Sequence, residues 1–398
     1  MSSFSFPTEV VAEGKVEVTV PKLKAFADKP SDYAPSKAPV FYNPVMELNR
    51  DLAVLALQAF QRDAGNGMSI CEPLAGCGVR GVRFAREVEG VEKVVVNDIN
   101  REAYRMALFN VEKNGVAGMV SVENEDANSL LSRFGAPKKR FAYVDIDPFG
   151  SPMPFVDSAL RALRSGGMLA LTATDLTSLC GVYPRVCVRR YGGTSLRTEY
   201  CHELAVRLLA GALVRAAARF DVGVNVTFTH SIEHYVRLYA IVTSGAKKAD
   251  ASLGNMGFVH HCYGCFHREA IAGMFQCKKT CPECGEKMVV AGPLWLGGII
   301  DRDFVASIEV EARSRDFRGK RTIRRLLELV KGEADRCITY YVVDAICDKL
   351  GLPVPSVKAV VERLEKADSV ACLTHFHSRG IKTDAPAGVV KEAIAGLV

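Results

Sequence analysis

The sequence lacks any uninterrupted apolar run of about 18 residues, the length at which a transmembrane helix becomes possible. Its opening residues, MSSFSFPTEV, lack the basic start and the apolar core of a secretory signal peptide. It also lacks a large excess of one charge, because the formal net charge is +6 and the pI is near 8.6. We therefore expect a cytoplasmic protein with no membrane partner. The mild basic bias permits nucleic-acid binding without requiring it.

The length and composition indicate a folded protein of several domains. The 398 residues exceed one ordinary domain, so we expect two or three. Hydrophobic residues make up 48% and charged residues 24% of the chain, which argues against disorder. There are thirteen cysteines and no secretion signal, which predicts reduced thiols and a metal site rather than a disulfide framework.

Strand and helix patterns alternate from residue 41 to 245. This alternation predicts an α/β fold with an open, mainly parallel, Rossmann-like sheet that is covered by helices on both faces. Residues 1–40 predict a strand or hairpin followed by a loop. Within the sheet domain we expect a helix over 154–167 and a long helix over about 197–219. The small polar stretch GAKKADASLGN, 245–255, predicts the end of this domain.

Two further parts follow the sheet domain. Residues 258–290 are rich in cysteine and predict a zinc-binding segment, and residues 291–398 predict a helical C-terminal domain. Near the end the order is helix, turn, helix and hairpin, with Pro355-Ser356 at the start of the second helix. That order is typical of a winged-helix-like module.

The first strand of the sheet leads into the glycine-rich turn Glu72-Pro-Leu-Ala-Gly76-Cys-Gly78. Glycines let the backbone turn sharply and approach a ligand, and the next helix offers free N–H groups. The turn begins with an acid instead of following the G-x-G-x-x-G pattern of dinucleotide sites. It suits S-adenosylmethionine, which has no pyrophosphate but carries a cationic sulfonium and an amino group. A nucleotide-binding turn without methyl transfer is the alternative.

Acidic residues end the next two strands. Asp98 ends the second strand, where a carboxylate can accept hydrogen bonds from ribose hydroxyls. Asp126-Ala127 end the third strand, where a side chain and a backbone amide could contact an adenine. A solvated helix cap explains the second pair equally well.

The fourth strand ends in Asp147-Pro148-Phe149-Gly150, beside the switch point where such sheets bind ligands. Exocyclic amino groups of bases are poor nucleophiles, because the nitrogen lone pair is delocalised into the ring. A carboxylate on a proline-stiffened turn can accept hydrogen bonds from such an amino group, and an aromatic side chain can stack on the base. Asp145 would be a supporting acid. The alternative is an ordinary strand-ending turn.

Carbon methylation is disfavoured by the composition of two strand ends. Methylation of a pyrimidine at carbon 5 requires a thiol nucleophile near the strand tip. The fourth and fifth strands end in DPFG and TATD, and neither contains cysteine.

Five cysteines lie between residues 262 and 284. Two C-x-x-C pairs separated by fifteen residues have the spacing of a structural zinc site with four protein ligands. The predicted ligands are Cys262, Cys265, Cys281 and Cys284. Cys277 and His261 are possible substitutes with poorer spacing, and iron could occupy the same tetrahedral set.

The chain resembles a known family in many stretches, in the same order and over nearly its whole length. These stretches are FYNPVMELNRD, AGCGVRGVRFA, VVNDIN, DIDPFGSPMPF, LTATDLTSLCG, RYGGTSLRTEYCHE, the four-cysteine cluster, PLWLGGI and THF…GIKTDAP. The family is that of the tRNA guanine-N2-dimethyltransferases acting at position 26. The resemblance implies a class I S-adenosylmethionine-dependent methyltransferase fold. It also implies transfer of one or two methyl groups to the N2 amino group of that guanine in tRNA.

The resemblance also implies roles for individual residues. The cofactor would be bound by Arg50, Arg80, Asp98, Asp126 and Ala127. Asp147 would be the catalytic acceptor of the amino hydrogens, and Phe149, Phe41 and Tyr42 would line the guanine pocket. The cysteine site would hold Zn²⁺, and no obligate protein partner is inferred. The stretch LAGCG lacks the Ser or Thr that many relatives carry before the central glycine, which leaves the turn intact.

Two other functions remain open at this point. One is an N6-adenine or other amino methyltransferase, although that motif normally reads Asp-Pro-Pro-Tyr/Phe or Asn-Pro-Pro-Tyr/Phe, and Phe149 replaces its second proline. The other is a non-catalytic zinc and winged-helix protein that binds nucleic acid. Binding of S-adenosylmethionine would distinguish this last function from the enzymes.

Three basic runs could contact RNA phosphates: 138–140, 185–190 and 313–325. The third is the best candidate from sequence, because arginines and lysines dominate it just before the winged-helix-like module. The hairpin THFHSRGIK adds His375, Phe376, His377, Arg379 and Lys382. These residues predict either an RNA contact or a packed wing. His202 and Glu203 on the long helix are expected to have structural roles.

Overall fold

The structure is a computed structural model that describes residues 4–29, 32–65, 67–232, 234–273 and 280–398. The chain divides into two compact units. The first comprises residues 1–148, 155–171 and 306–324. The second comprises residues 149–154, 172–305 and 325–398. The predicted division into four parts, 1–40, 41–245, 258–290 and 291–398, remains a prediction.

The secondary structure alternates strands and helices over the first half of the chain. The strands are β1 (Thr8–Glu13), β2 (Val16–Pro21), β3 (Met68–Glu72), β4 (Val91–Asn97), β5 (Val120–Glu123), β6 (Phe141–Ile146), β7 (Leu163–Ala173), β8 (Val222–Ile232), β9 (Tyr235–Ser244), β10 (Met256–His261), β11 (Arg268–Ala272), β12 (Val289–Trp295), β13 (Tyr341–Val342), β14 (Ala371–Leu373) and β15 (Gly380–Thr383). The α-helices are α1 (Glu47–Ala64), α2 (Val79–Glu87), α3 (Arg101–Lys113), α4 (Ala127–Arg133), α5 (Met153–Ala162), α6 (Leu176–Leu179), α7 (Pro184–Tyr191), α8 (Cys201–Ala218), α9 (Ala246–Leu253), α10 (Arg302–Arg313), α11 (Lys320–Glu333), α12 (Val343–Leu350), α13 (Val357–Lys366) and α14 (Ala387–Ala395).

Seven strands belong to a mixed sheet, which confirms the predicted α/β class. Five of them are parallel and pair in the order β5-β4-β3-β6-β7. Every residue of β6 is buried, as expected for a central strand that is covered on both faces. Because the strands are parallel, the carboxyl ends of β3, β4 and β6 meet at one edge. That edge carries the predicted ligand residues.

The first unit begins with the predicted hairpin, formed by β1 and β2. Its inner strand is tied to α3, because the side chain of Asn110 accepts from the Thr19 N–H at 2.7 Å and donates to its carbonyl at 3.0 Å. Val18 and Val20 are fully buried. The hairpin is therefore an integral part of the first unit.

The second unit contains three antiparallel strand groups. The strands β8 and β9 form the predicted closing pair. A three-stranded sheet in the order β11-β10-β12 carries the cysteine-rich segment, and another in the order β13-β15-β14 lies near the C-terminus. The sequence of elements α12, α13, β14 and β15 agrees with the predicted helix, turn, helix and hairpin. Their core includes Ile346, Val360 and Ile381, all nearly inaccessible to solvent.

Two predictions about helices were wrong in part. The helix expected over 154–167 ends at Ala162, where the chain enters β7, and Gly166 within that strand has a φ of +79°. The helix expected over 197–219 starts only at Cys201. The polar stretch at 245–255 contains α9, where the Ser252 hydroxyl accepts from the Val224 N–H at 2.9 Å.

Among the described residues no helix is both long and apolar enough to cross a bilayer. This agrees with the absence of long apolar runs in the sequence. The cytoplasmic location remains a prediction.

Candidate active site and metal centre

The glycine-rich turn between β3 and α2 uses conformations and spaces that only glycine fits. Gly76 has a φ of +56°, and a Cβ there would lie 2.9 Å from the carbonyl oxygen of Phe41. Gly78 has a φ of +76°, and a Cβ there would lie 2.9 Å from the Ala107 Cβ. Both glycines are therefore required for the turn to pass this close to its neighbours. The backbone of the turn forms a cradle at the edge of the sheet.

Asp98, just after β4, holds this cradle in place. Its Oδ2 accepts from the Gly76 N–H at 2.8 Å, and its Oδ1 accepts from the Asn100 N–H at 2.9 Å. A carboxylate has about four acceptor positions, so two backbone donors leave capacity for hydroxyl groups. The geometry suits the role in ribose binding expected for Asp98.

Arg80 on α2 lies among three acidic side chains at the ends of β3 and β6. Its guanidinium is 3.4 Å from the Glu72 carboxylate and 3.5 Å from the Asp145 carboxylate. It also forms a close ion pair with Asp147. Arg80, Glu72 and Asp145 are buried, whereas the Asp147 side chain is 17% exposed. Asp147 is therefore the member of this cluster that a ligand can reach.

Glu72 is the acid that opens the glycine-rich motif. Burial raises the pKa of Glu72 to about 8, although the nearby Arg80 acts in the opposite direction. Its Oε2 accepts from the Gly81 N–H at 2.8 Å, which fixes the first turn of α2. The acid of the motif therefore orients α2 and Arg80 from inside the protein.

Arg50 and Tyr42 lie together in a buried network around Glu13. Arg50 donates to Glu13 at 2.8 Å and 2.5 Å and to the Asn43 carbonyl at 3.1 Å. The Tyr42 hydroxyl donates to Glu13 at 2.8 Å. Phe41 is half-buried, and its carbonyl oxygen lies against Gly76. Sequence reasoning missed Glu13, since no motif connects it with Tyr42 and Arg50, which follow 29 and 37 positions later.

Asp126 and Ala127 lie at the start of α4. Asp126 is exposed, and its Oδ1 accepts from the Ser129 N–H at 2.9 Å, so it caps the helix. Ala127 is buried. The helix-cap interpretation therefore accounts for this local geometry, and the helix N-terminus beside it presents backbone N–H groups.

In the second unit, the turn after Phe149 is fixed to the end of β7. Phe149 is 70% exposed. The Gly150 N–H donates to the Thr174 hydroxyl at 2.7 Å, and the Thr174 N–H donates to the Gly150 carbonyl at 2.9 Å. This reciprocal pair holds the aromatic residue at a defined place with its ring accessible to a ligand.

The residue after Thr174 is a further acid that sequence reasoning missed. Asp175 accepts from Ser178 at 3.0 Å, from Arg190 at 2.8 Å and from the Tyr191 hydroxyl at 2.5 Å. The signal was present, because TATD ends a strand in an acid just as DIDPFG does. Its partners on α7 could not be inferred from spacing.

The four predicted metal ligands lie together. The Sγ atoms of Cys262 and Cys284 are 3.4 Å apart, and those of Cys265 and Cys281 are 3.5 Å apart. All four donor atoms lie within 4.8 Å of one another. Tetrahedral zinc with Zn–S bonds of about 2.3 Å requires sulfurs about 3.8 Å apart, so the arrangement fits. His261 is not in this set, and Cys277 lies outside the described residues.

A second group of possible donors consists of Cys180, Cys201 and His202, whose donor atoms also lie within 4.8 Å of one another. Cys180 follows α6, and the other two begin α8. The group supplies three protein donors, one fewer than a structural zinc site uses.

The hairpin residues proposed for RNA contact are largely packed inside the second unit. Lys382 is 2% exposed and pairs with Glu203 at 2.7 Å. The side chain of His375 is fully buried and faces Glu333 at 2.7 Å. Phe376 is also buried. For these three residues the structure favours the packed wing, and the structural role expected for Glu203 agrees with its ion pair.

Part of the basic run 313–325 also has internal partners. Arg315 donates to the Glu87 carbonyl at 2.7 Å, and Arg318 pairs with Glu47 at 2.9 Å. Other residues of the run line a surface depression of about 890 Å³, among them Arg313, Lys320 and Arg321. Contact between this run and RNA remains a prediction.

The mixed sheet, the glycine cradle and the acidic strand ends define a class I methyltransferase fold. The family model described as N2,N2-dimethylguanosine tRNA methyltransferase matches residues 14–395. The chain belongs to this family.

Curated relatives and one solved structure agree with that membership. A tRNA (guanine(26)-N(2))-dimethyltransferase of Methanothermobacter thermautotrophicus is 41% identical over 391 residues, 98% of this chain and 99% of the relative. An Aquifex aeolicus relative named for guanine 26 and guanine 27 is 34% identical over 382 residues, 94% of this chain and 93% of its own. The structure of Trm1 from Pyrococcus horikoshii with S-adenosyl-L-methionine superposes with a TM-score of 0.85 at 33% identity, covering 97% of this chain and 99% of that one.

Proposed function

We propose that this chain transfers methyl groups from S-adenosylmethionine to the N2 amino group of guanine 26 in tRNA, ending at the dimethylated base. The proposal rests on two facts taken together. The chain belongs to the N2,N2-dimethylguanosine tRNA methyltransferase family, and it has an accessible carboxylate, Asp147, at the edge of a class I sheet. The names of the relatives support both the base and the position.

The cofactor site proposed here lies at the glycine cradle. Asp98, which already orders Gly76, would bind the ribose, and Asp126 with Ala127 would bind the adenine end. Arg80 lies beside Asp147 and would face the cofactor from the floor of the site. S-adenosylmethionine supplies the electrophilic methyl group when it is bound.

Arg50 would contribute to cofactor binding through its place in the buried network. Its guanidinium is held by Glu13 and by the Asn43 carbonyl, close to the segment that contains Phe41. This segment contacts Gly76 through the Phe41 carbonyl. Arg50 would therefore support the wall of the cradle.

Asp147 would act on the amino group of the guanine. Its carboxylate would accept hydrogen bonds from the N–H groups, favour a pyramidal nitrogen and thereby make the lone pair available. Phe149, with its exposed ring, would stack on the base, and Phe41 and Tyr42 would complete the pocket. Since Tyr42 is buried against Glu13, its part would be to shape the wall.

We also propose that the cysteine cluster binds one structural Zn²⁺. Four thiolates within 4.8 Å satisfy its preferred coordination and leave no open position for catalysis. The Cys262 N–H donates to the His267 carbonyl at 2.9 Å and the Cys281 N–H to the Glu286 carbonyl at 2.7 Å, so the backbone around both C-x-x-C pairs is held by its own hydrogen bonds.

The test of the enzymatic proposal is mass spectrometry of tRNA nucleosides after incubation of the purified chain with S-adenosylmethionine. The expected product is N2,N2-dimethylguanosine from position 26. A tRNA with adenine at position 26 serves as the control and should remain unmodified. Methylated adenosine, or no product from a tRNA with guanine 26, would contradict the proposal.

A further inference from the structure

The segment that follows Asp175 has an unusual charge composition. Between Asp175 and Glu199 there are four basic residues and no acidic one. The basic residues are Arg185, Arg189, Arg190 and Arg197. Three of them lie on α7, a helix that buries only Cys187 and Tyr191. Arg185 and Arg189 are therefore exposed cationic side chains on this helix, whereas Arg190 pairs with Asp175.

Apolar side chains on and before α7 are exposed as well. Tyr183 is 59% exposed, and Val182 and Val188 are each 47% exposed. An aromatic ring next to arginines can stack on a base while the guanidinium groups contact phosphates. This combination is typical of a single-stranded or distorted nucleic acid as the partner.

Helix α7 is hydrogen-bonded to the residues that follow β7. The turn Phe149-Gly150, which we propose to contact guanine, is hydrogen-bonded to the same strand end. Arg190 and Tyr191 of α7 both donate to Asp175 at the end of β7. The preceding residue, Thr174, exchanges two hydrogen bonds with Gly150, one residue after Phe149. A phosphate bound on α7 would therefore lie on a scaffold connected to the residue expected to stack on guanine.

A surface depression beside α7 adds further cationic groups. It has a volume of about 250 Å³ and is lined by three arginines, Arg190, Arg215 and Arg219, together with apolar residues such as Met153. No acidic side chain is found among the described residues that line it. Arg215 donates to the carbonyl oxygens of Tyr191 and Pro293, and these neutral partners leave its charge uncompensated. Such a depression suits a phosphate group.

We propose that α7, with Tyr183 and the arginine-lined depression, binds the tRNA backbone beside the target guanine; we call this the α7 surface. The inference rests on the proposed function and deepens it by assigning a docking surface. Arg185 and Arg189 contact phosphates, and Tyr183 stacks on a base next to the target. Guanine must leave its stack for its amino group to be methylated, and contacts on neighbouring nucleotides hold the distorted strand.

The basic run 313–325 is the alternative surface. It carries more cationic residues, but Arg315 and Arg318 already have internal partners and Asp316 adds a negative charge. The observations therefore favour the α7 surface for the contact that positions guanine.

The test compares tRNA binding by the unmodified chain and by the double variant R185A/R189A at several KCl concentrations. We expect the dissociation constant of the double variant for tRNA to be about tenfold larger. The slope of log affinity against log KCl concentration should be smaller in magnitude by about 1.5, as for the loss of two phosphate contacts. The matched control is K247A/K248A, which removes two exposed charges from α9 of the same unit. It should bind tRNA like the unmodified chain. Calorimetry with S-adenosylmethionine should give the same affinity for all three proteins.

Two further variants make the result decisive. R185K/R189K keeps both charges and should bind tRNA within about twofold of the unmodified chain. Y183A should weaken tRNA binding by about fivefold with no change in salt slope, because stacking is lost without loss of charge. The inference would be overturned if R185A/R189A bound tRNA with the affinity and salt dependence of the unmodified chain. It would also be overturned if R185A/R189A and K247A/K248A lost equal amounts of tRNA affinity. If the unmodified chain methylates no tRNA, the proposed function itself fails, which is a different result.

Discussion

Arg80 and Asp147 form an ion pair between α2 and the end of β6. The same guanidinium lies 3.4 Å from the Glu72 carboxylate and 3.5 Å from the Asp145 carboxylate, so one buried cation contacts three acidic side chains. Of the three, Asp147 is the acid with appreciable exposure. The pair therefore fixes the direction of the carboxylate that we propose to act on the guanine amino group.

Replacing Asp147 by alanine should abolish methyl transfer, with a fall in kcat of about 10³-fold or more, because the amino group loses its acceptor. S-adenosylmethionine affinity should be retained, since Asp98 and the glycine cradle are untouched. The measurements are single-turnover methylation and calorimetry. D250A, which removes an exposed acid from α9, is the control and should keep full activity. Retained activity in D147A would remove the catalytic assignment.

Replacing Arg80 by alanine should destabilise the first unit by about 3–5 kcal/mol, because the buried carboxylates that face Arg80 lose its positive charge. It should also weaken S-adenosylmethionine binding, because Arg80 is proposed to face the cofactor. Urea unfolding measures the free energy of unfolding. The control is R86A, which removes an exposed arginine from the same helix. It should lower the free energy of unfolding by no more than about 0.5 kcal/mol. Equal stability of the two variants would show that the buried cluster does not depend on Arg80.

Replacing Glu203 by glutamine should lower stability at pH 7 by about 3 kcal/mol. Burial alone would raise the pKa of Glu203, but Lys382 and Arg207 lower the pKa to about 2, below the ordinary value of 4.5. The folded state therefore favours the ionised form. Its stabilisation is present above about pH 4.5 and is lost as the pH falls towards 2.

Urea unfolding of the E203Q variant and of the unmodified chain at pH 7 and pH 3 measures this difference. The gap in unfolding free energy should be smaller at pH 3, because protonation removes the same charge in the unmodified chain. E365Q, at an exposed position on α13, should show no gap at either pH. A gap that is independent of pH would mean that Glu203 stabilises the fold through packing and not through charge.

Replacing Cys281 by serine should remove the bound metal and lower Tm, because a structural zinc site contributes directly to folding. Metal analysis should find one zinc per unmodified chain and none in the variant. The control is C372S, at a half-buried thiol on β14, which should retain the metal. Unchanged zinc content in C281S would disprove the proposed site, and iron in the unmodified chain would correct the metal.

The elements that sequence patterns predicted well are those whose signal is local. The strand β6 is an apolar run that is buried along its whole length, and two C-x-x-C pairs bring their thiols together by spacing alone. The helix α7 escaped prediction because it buries only Cys187 and Tyr191, too few apolar positions to show helical periodicity. Its termini were visible, with Pro184 at the start and Gly192 at the end.

Contacts between distant segments could not be predicted from the sequence. Nothing local couples Glu13 to Arg50, or Asp175 to Arg190, because side-chain pairing across elements depends on the tertiary arrangement. The roles expected for Arg50 and Tyr42 illustrate this limit. Their motif positions point to ligand binding, whereas their immediate partners belong to a buried network.

Glu13 has a consequence for how the protein can be handled in the laboratory. It belongs to the first strand of the N-terminal hairpin, yet it neutralises Arg50 in the interior of the first unit. A shortened chain starting after residue 21 would leave that guanidinium buried without a carboxylate, at a cost of about 3–5 kcal/mol. An affinity tag fused ahead of residue 1 keeps Glu13 in place, whereas a tag that replaces the hairpin removes it.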